Sequence, residues 1–260
     1  MVKATTLRRR TIVGALAWLV LAGTAAAAEI RVVSSGGFTA AYDSLIAEFE
    51  RRSGHTLVSS YGASMGNAPD AIPQRLARGE PLDVLILAAP ALDGFIREGK
   101  AVEGSRVDLA ASRIGFAVRA GAPKPDIGSV EAVRRALLEA PSIAYSASAS
   151  GVYFSTEMVQ RLGIADQVLP KSRRILRERV GTVVARGDAE LGLQQLSELL
   201  PIQGIDLVGP LPPELQRVTL FSTGIAAGAR EPEAARDLIR FLSSPDAAGA
   251  VKATGLDPMR

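Results

Sequence analysis

The sequence predicts an α/β protein of two doubly wound lobes joined by two crossing strands. Three observations lead there. Short β-rich runs alternate with segments of helical apolar spacing from Ile30 onward, the βαβα rhythm of a sheet covered by helices. Residues 82–88, LDVLILA, form a near-continuous apolar run, as a strand buried on both faces requires. Two β-rich stretches, 113–118 and 217–227, bracket a middle block and read as the places where the chain leaves one lobe and returns to it. The lobes so defined are 29–112 with 220–260, and 113–219, with a ligand cleft expected between them.

The first 28 residues read as an export signal. Lys3, Arg8, Arg9 and Arg10 make a basic start, 12–23 an apolar stretch, and Ala26, Ala27 and Ala28 a small-residue cleavage site, so cleavage is expected after Ala28 with the product in the periplasm. Arg9-Arg10 also permits a twin-arginine route. Losing the four basic residues of this segment takes the formal charge from +3 to −1, which does not suit a nucleic-acid surface. The absence of cysteine excludes disulfides, thiolate metal sites and cysteine nucleophiles. No later stretch is long and apolar enough to span a membrane, so a soluble product is expected.

The organising unit is 30–54. Ile30, Val32 and Val33 form a strand, Ser34, Ser35, Gly36 and Gly37 a turn, and Phe38, Tyr42, Leu45, Ile46 and Phe49 one face of a helix stopped by Gly54. The turn leaves unpaired N–H groups at a helix start, where the dipole favours negative charge, so it is a candidate half-site for a small anion. It serves equally as an ordinary βα connection. A second strand is expected over 56–61, a helix over 71–78 ended by Gly79, the buried strand over 82–88, and a helix over 91–98 ended by Gly99.

Strand 113–118 leads into the second lobe. Pro123 and Pro125 stiffen its exit, Ser129 N-caps a helix over 130–139, and Pro141 ends it. Strand 142–145 opens onto Ser146, Ser148, Ser150 and Gly151, followed by a helix over 152–162, the same grammar as 34–54. A helix over 179–186, a strand over 189–194, the long strand 217–227, a helix from Glu231 or Pro232 to Phe241, and a last helix capped by Ser244-Pro245 complete the chain.

Catalytic signatures are missing. His55 is the one histidine and reads as an exposed loop or strand-start residue. Without a second histidine or any cysteine, the usual nucleophile triads cannot be assembled except around His55. There is no nucleophile elbow, HExxH, EF-hand or Walker A spacing. No metal site or cofactor is expected. What remains is glycines and hydroxyls after strand ends: Ser34, Ser35, Gly36, Gly37 and Ser64 on one side, Ser148 and Gly151 on the other. Ser64 and Ser148 fit turn-capping hydroxyls as well as ligand contacts.

Four segments together resemble the periplasmic solute-binding proteins of ABC importers, in particular the molybdate-binding group with the type II periplasmic binding fold. They are RVVSSGGFTAAYDSLIAEFERRSG, ARGEPLDVLILAAP, VARGDAELGLQQLSEL and FLSSPDAAGAVKATGL. The resemblance implies a monomer that closes over a small anionic ligand, hands it to an ABC importer permease, and is not an enzyme. It implies ligand contacts at Ser64, at Gly151 and Tyr153, and near Arg177–Val180. Gly37 stands where the family places its first serine, so Ser34 or Ser35 substitutes, and Gln195 stands where the molybdate group places a tyrosine. Arginine and glutamine fit an organic carboxylate at least as well as molybdate or tungstate, although Arg177 and Arg179 also read as a solvated helix end. The expected function is therefore capture of a molybdate-type oxyanion for import. Carboxylate binding, an exported hydrolase on the same scaffold, and a ligand sensor are the alternatives.

Overall fold

A computed structural model describes residues 27–259; the expected export signal, apart from Ala27 and Ala28, lies outside them. Among the described residues, eleven strands form two sheets. The first contains β1 (Glu29–Ser34), β2 (Thr56–Tyr61), β3 (Val84–Ala88), β4 (Val107–Ser112), β10 (Thr219–Ile225) and β11 (Asp257–Pro258), in the order β11-β4-β10-β3-β1-β2. The second contains β5 (Ile114–Arg119), β6 (Ile143–Ser146), β7 (Ser172–Ile175), β8 (Leu191–Gln195) and β9 (Ile205–Pro210), in the order β7-β6-β8-β5-β9.

The α/β expectation holds, and the topology explains why each sheet is mixed. β1 runs parallel to β2 and β3, and β6 parallel to β7 and β8, as helix-connected strands must. β10 is antiparallel to β3 and β4, and β5 to β8 and β9. These two are the strands that follow the crossings: Arg113 alone separates β4 from β5, and 211–218 brings the chain back to β10.

Alternating side chains of the central strands feed cores on both faces. Val32, Val84 and Ile86 pack with Phe38, Tyr42 and Phe49 of the helix Gly36–Ser53 and with Leu238 of the helix Pro232–Leu242. Val33, Leu85 and Leu87 face Ile72, Leu92 and Phe95. All five residues of β3 are buried, as its apolar run requires. In the second sheet, Phe116, Ile143 and Leu193 pack with Phe154, Met158 and Leu137, while Ala144 and Ile175 face Val180, Val183 and Val184. Asp83 is buried and accepts the N–H groups of Arg31 (2.7 Å), Arg230 (2.6 Å) and Glu231 (3.1 Å), anchoring the start of Pro232–Leu242.

Several local readings change. The expected strand 113–118 continues from β4, and β4, β7 and β9 carry no clear sequence signal because each mixes polar residues into a half-covered position. The helix expected from Val152 begins at Ala149 and contains a π turn over Phe154–Met158. His55 is buried rather than exposed: its Nδ1 accepts the N–H of Ala28 at 3.1 Å, and Phe49 packs beside the ring. Among the described residues, no helix is long and apolar enough to cross a membrane.

Candidate functional site

The C-terminal ends of β1, β2, β6, β7 and β8 open onto one cavity between the sheets, of about 380 Å³. This is the edge at which open α/β sheets take ligands, and the volume lies in the range of about 300–1,000 Å³ usual for small-molecule sites. Gly36, Thr39, Tyr61 and Gly62 line it from the first sheet, with Ser146, Ser148, Arg177, Arg179, Gln194 and Glu198 from the second.

Glu198 lies at the waist between the sheets, on the short helix Leu196–Leu199. That helix is tied across the cleft by Ser197, whose hydroxyl donates to the Gly37 carbonyl at 2.7 Å. Glu198 is only 8% exposed, and burial pushes its carboxyl up from 4.5 to about 7 against the opposing pull of the Arg179 guanidinium and the Gln194 amide. Gln194 Nε2 donates to Glu198 Oε1 at 2.9 Å, while Gln194 Oε1 accepts the N–H of Val180 at 3.0 Å, so the amide is held from both ends. A Cβ at position 36 would collide with Glu198 Oε1. Glycine there makes room for the carboxyl beside the start of the helix Gly36–Ser53.

The other charges of the cavity divide into engaged and uncommitted groups. Tyr61 donates to Asp43 Oδ1 at 2.6 Å; burial and that carboxylate push the phenol up to about 12. Arg186 donates to both oxygens of Glu178 (2.7 and 2.9 Å) and holds that carboxyl below its ordinary range. Among the described residues, Arg177 and Arg179 form no ion pair, leaving two guanidinium forks available to carboxylates.

Of the residues singled out from sequence, Gly36, Ser146, Ser148, Arg177 and Arg179 line the cavity. The others lie behind it. The Ser34 hydroxyl donates to the Ser35 carbonyl (3.3 Å), and Ser35 Oγ is buried without a hydrogen-bond partner among the described residues. Gly37 packs under the Phe221 ring, where a Cβ would come within 2.8 Å of Cε1. Ser64 Oγ accepts the N–H of Ala88 at 3.0 Å. A Cβ at Gly151 would collide with the Ser146 carbonyl oxygen. Tyr153 donates to the Leu215 carbonyl (2.8 Å), and the Arg217 guanidinium covers its ring at 4.5 Å. Gln195 Nε2 donates to Thr219 Oγ1 (2.8 Å), leaving its Oε1 buried without a partner among the described residues.

Glu198, Thr39 and Tyr61 escaped the sequence reading. No spacing rule exposes Glu198, because its partner Gln194 ends the strand β8 while Glu198 lies on the following helix Leu196–Leu199. Among the described residues, no group of three or more His, Asp or Glu side chains could hold a metal.

The family model for "bacterial extracellular solute-binding protein" matches residues 30–257. The chain belongs to that family. This solute-binding protein is 45% identical over 230 residues to an aconitate isomerase of a Pseudomonas species, covering 88% of each chain. It is 26% identical over 255 residues to the molybdate-binding protein ModA of Azotobacter vinelandii, covering 94% of this chain and 96% of that one. In fold it matches the solved structure of the Azotobacter vinelandii periplasmic molybdate-binding protein with a TM-score of 0.72, at 20% identity, over 89% of this chain and 100% of that one.

The first of these relatives corrects the expectation that the chain is not an enzyme, because it bears an enzyme's name at 45% identity. The expectation leaned on the lack of cysteine and of a second histidine, and on the family resemblance. Acid–base chemistry needs neither residue where a buried carboxyl is held near neutrality, and Glu198 is such a group.

Proposed function

We propose that this solute-binding protein encloses an aconitate between its two lobes and interconverts the cis and trans isomers. The observation that carries the reading is the pairing, in one cavity, of two arginines free of ion pairs among the described residues with a buried carboxyl. A tricarboxylate calls for forked cationic donors at its ends, which Arg177 and Arg179 offer. The N–H groups opening the helix Gly36–Ser53, and the Ser148 hydroxyl opposite, suit the remaining carboxylate. A dehydrated metal oxyanion needs no such pair of forks. The 45% identical isomerase supports the choice of substrate. The protein acts as a monomer in the periplasm, after removal of residues 1–28.

Capture without conversion, for delivery to an ABC importer permease, is a second reading, favoured by the molybdate-binding relative that matches 94% of the chain. Proton NMR of cis-aconitate incubated with the protein separates the two. Growth of the trans isomer's signals until a fixed ratio is reached supports the isomerase. An unchanged spectrum, together with a raised Tm in molybdate or tungstate but not in aconitate, replaces it with the transport reading. Ligand at 100 times its Kd adds about 2.7 kcal/mol of apparent stability, so binding itself is readily seen.

A further inference from the structure

We infer that Glu198 is the acid–base group of this isomerisation, taking a proton from the methylene carbon of the bound tricarboxylate and returning it to the alkene carbon. The inference rests on the aconitate reading above and assigns its chemistry to one side chain. Aconitate carries a central carbon flanked by one CH2 arm and one CH= arm, each ending in a carboxylate. Removing a proton from the CH2 arm turns the C–H electron pair into a new double bond to the central carbon. The old double bond's pair then takes the proton at the other arm. The product is again aconitate, with the arms exchanged and no cofactor or co-reactant consumed. The conformation about the former CH2–C single bond at the moment of deprotonation fixes the geometry of the new double bond, which is how one isomer becomes the other.

Three observations place this role on Glu198. It enters the cavity at the waist, where Gly36 leaves the space that a Cβ would take from its carboxyl. Gln194 fixes Oε1, and Oε2 makes no hydrogen bond among the described residues, leaving one oxygen for the substrate proton. The other proton carriers of the cavity are committed or exposed: Asp43 accepts from Tyr61, Glu178 from Arg186, and Asp70 is exposed. The charged groups around Glu198 are Arg179, from the turn before the helix Val180–Ala185, and, around the same cavity, Arg177, Glu178, Asp43 and Asp70. Arg179 favours the carboxylate and burial favours the acid, so the group can both accept and donate a proton near neutral pH.

The test uses the exported protein with cis-aconitate as substrate and trans-aconitate as the binding probe. Glu198→Gln keeps size and fold but cannot accept the proton, and kcat is expected to fall about 10²–10⁴-fold while trans-aconitate still raises Tm. Wild-type kcat/KM is expected to climb with pH through about 7 and then level, as deprotonation of the free enzyme's base requires. Glu198→Asp, which withdraws the carboxyl by one methylene, carries the same expected loss if the amide variant does not accumulate. Turnover by Glu198→Gln within threefold of wild type would overturn the assignment and leave the isomerase reading standing. A wild-type protein that binds trans-aconitate without converting either isomer would overturn both.

Discussion

Glu198→Gln is expected to raise stability at pH 8 and to leave it almost unchanged at pH 4. The carboxyl titrates near 4.5 in the unfolded chain and near 7 when folded, mainly because burial disfavours the charged form. Below about pH 4.5 it is neutral in both states and costs nothing. Between 4.5 and 7 the unfolded chain releases the proton while the folded protein keeps it, so stability falls as pH rises. Above 7 the folded protein carries a buried charge, and the full difference corresponds to about 3 kcal/mol. Glutamine has nearly the same shape, its amide oxygen still accepts from Gln194, and it never ionises. At about 2–4 °C per kcal/mol for a domain of this size, the variant's Tm should exceed wild type by roughly 6–12 °C at pH 8. Thermal melts followed by circular dichroism at pH 4, 6 and 8 give the comparison, with the gap opening as pH rises. An equal gap at all three values, or a variant less stable at pH 8, would refute the reasoning that a carboxyl is kept in the cleft at a cost to the fold. Loss of turnover in the same variant would make the trade between stability and activity explicit.

Three further substitutions probe the frame around the site. Gly151→Ala drives a methyl group into the Ser146 carbonyl and to 2.9 Å from Tyr145 Cδ2; backbone moves little, so about 1–3 kcal/mol of stability should be lost, read as a lower Tm. Asp83→Ala strands the N–H groups of Arg31, Arg230 and Glu231 and should cost about 3 kcal/mol or more in urea unfolding, at roughly 1–3 kcal/mol per unsatisfied group. Arg177→Ala should leave Tm unaltered and weaken trans-aconitate binding by calorimetry about 10- to 150-fold, the loss of charge-assisted hydrogen bonds worth about 1.5–3 kcal/mol. That weakening should shrink at high salt, because Arg177 is exposed.

The fold was legible where hydrophobic pattern alone decides structure. LDVLILA can only be a strand covered on both faces, and the spacing of Phe38, Tyr42, Leu45 and Phe49 can only seat a helix on it. The Arg-rich strand β7 was not legible, since its side chains are mostly exposed and its pairing to β6 is made by backbone atoms that any sequence supplies. The candidate site was half legible for a related reason. Sequence places serines and glycines at strand ends, which is where the cavity opens, but it does not say which way a hydroxyl turns. Ser148 lines the cavity, whereas the Ser64 hydroxyl, in another turn after a strand end, receives the N–H of Ala88. Glu198 was hidden because its character is tertiary. A glutamate in a leucine-rich helix reads as a solvated position until Gly36, more than a hundred residues earlier in the chain, is found to close over it.

Where the tricarboxylate sits is decisive, and a crystal structure of Glu198→Gln with trans-aconitate measures that directly. Carboxylates on the Arg177 and Arg179 guanidiniums, with the substrate methylene about 3–3.5 Å from the side chain at 198, are the expected result. Electron density for the ligand outside the cavity between the sheets, or a cavity that accepts molybdate and excludes aconitate, would contradict it.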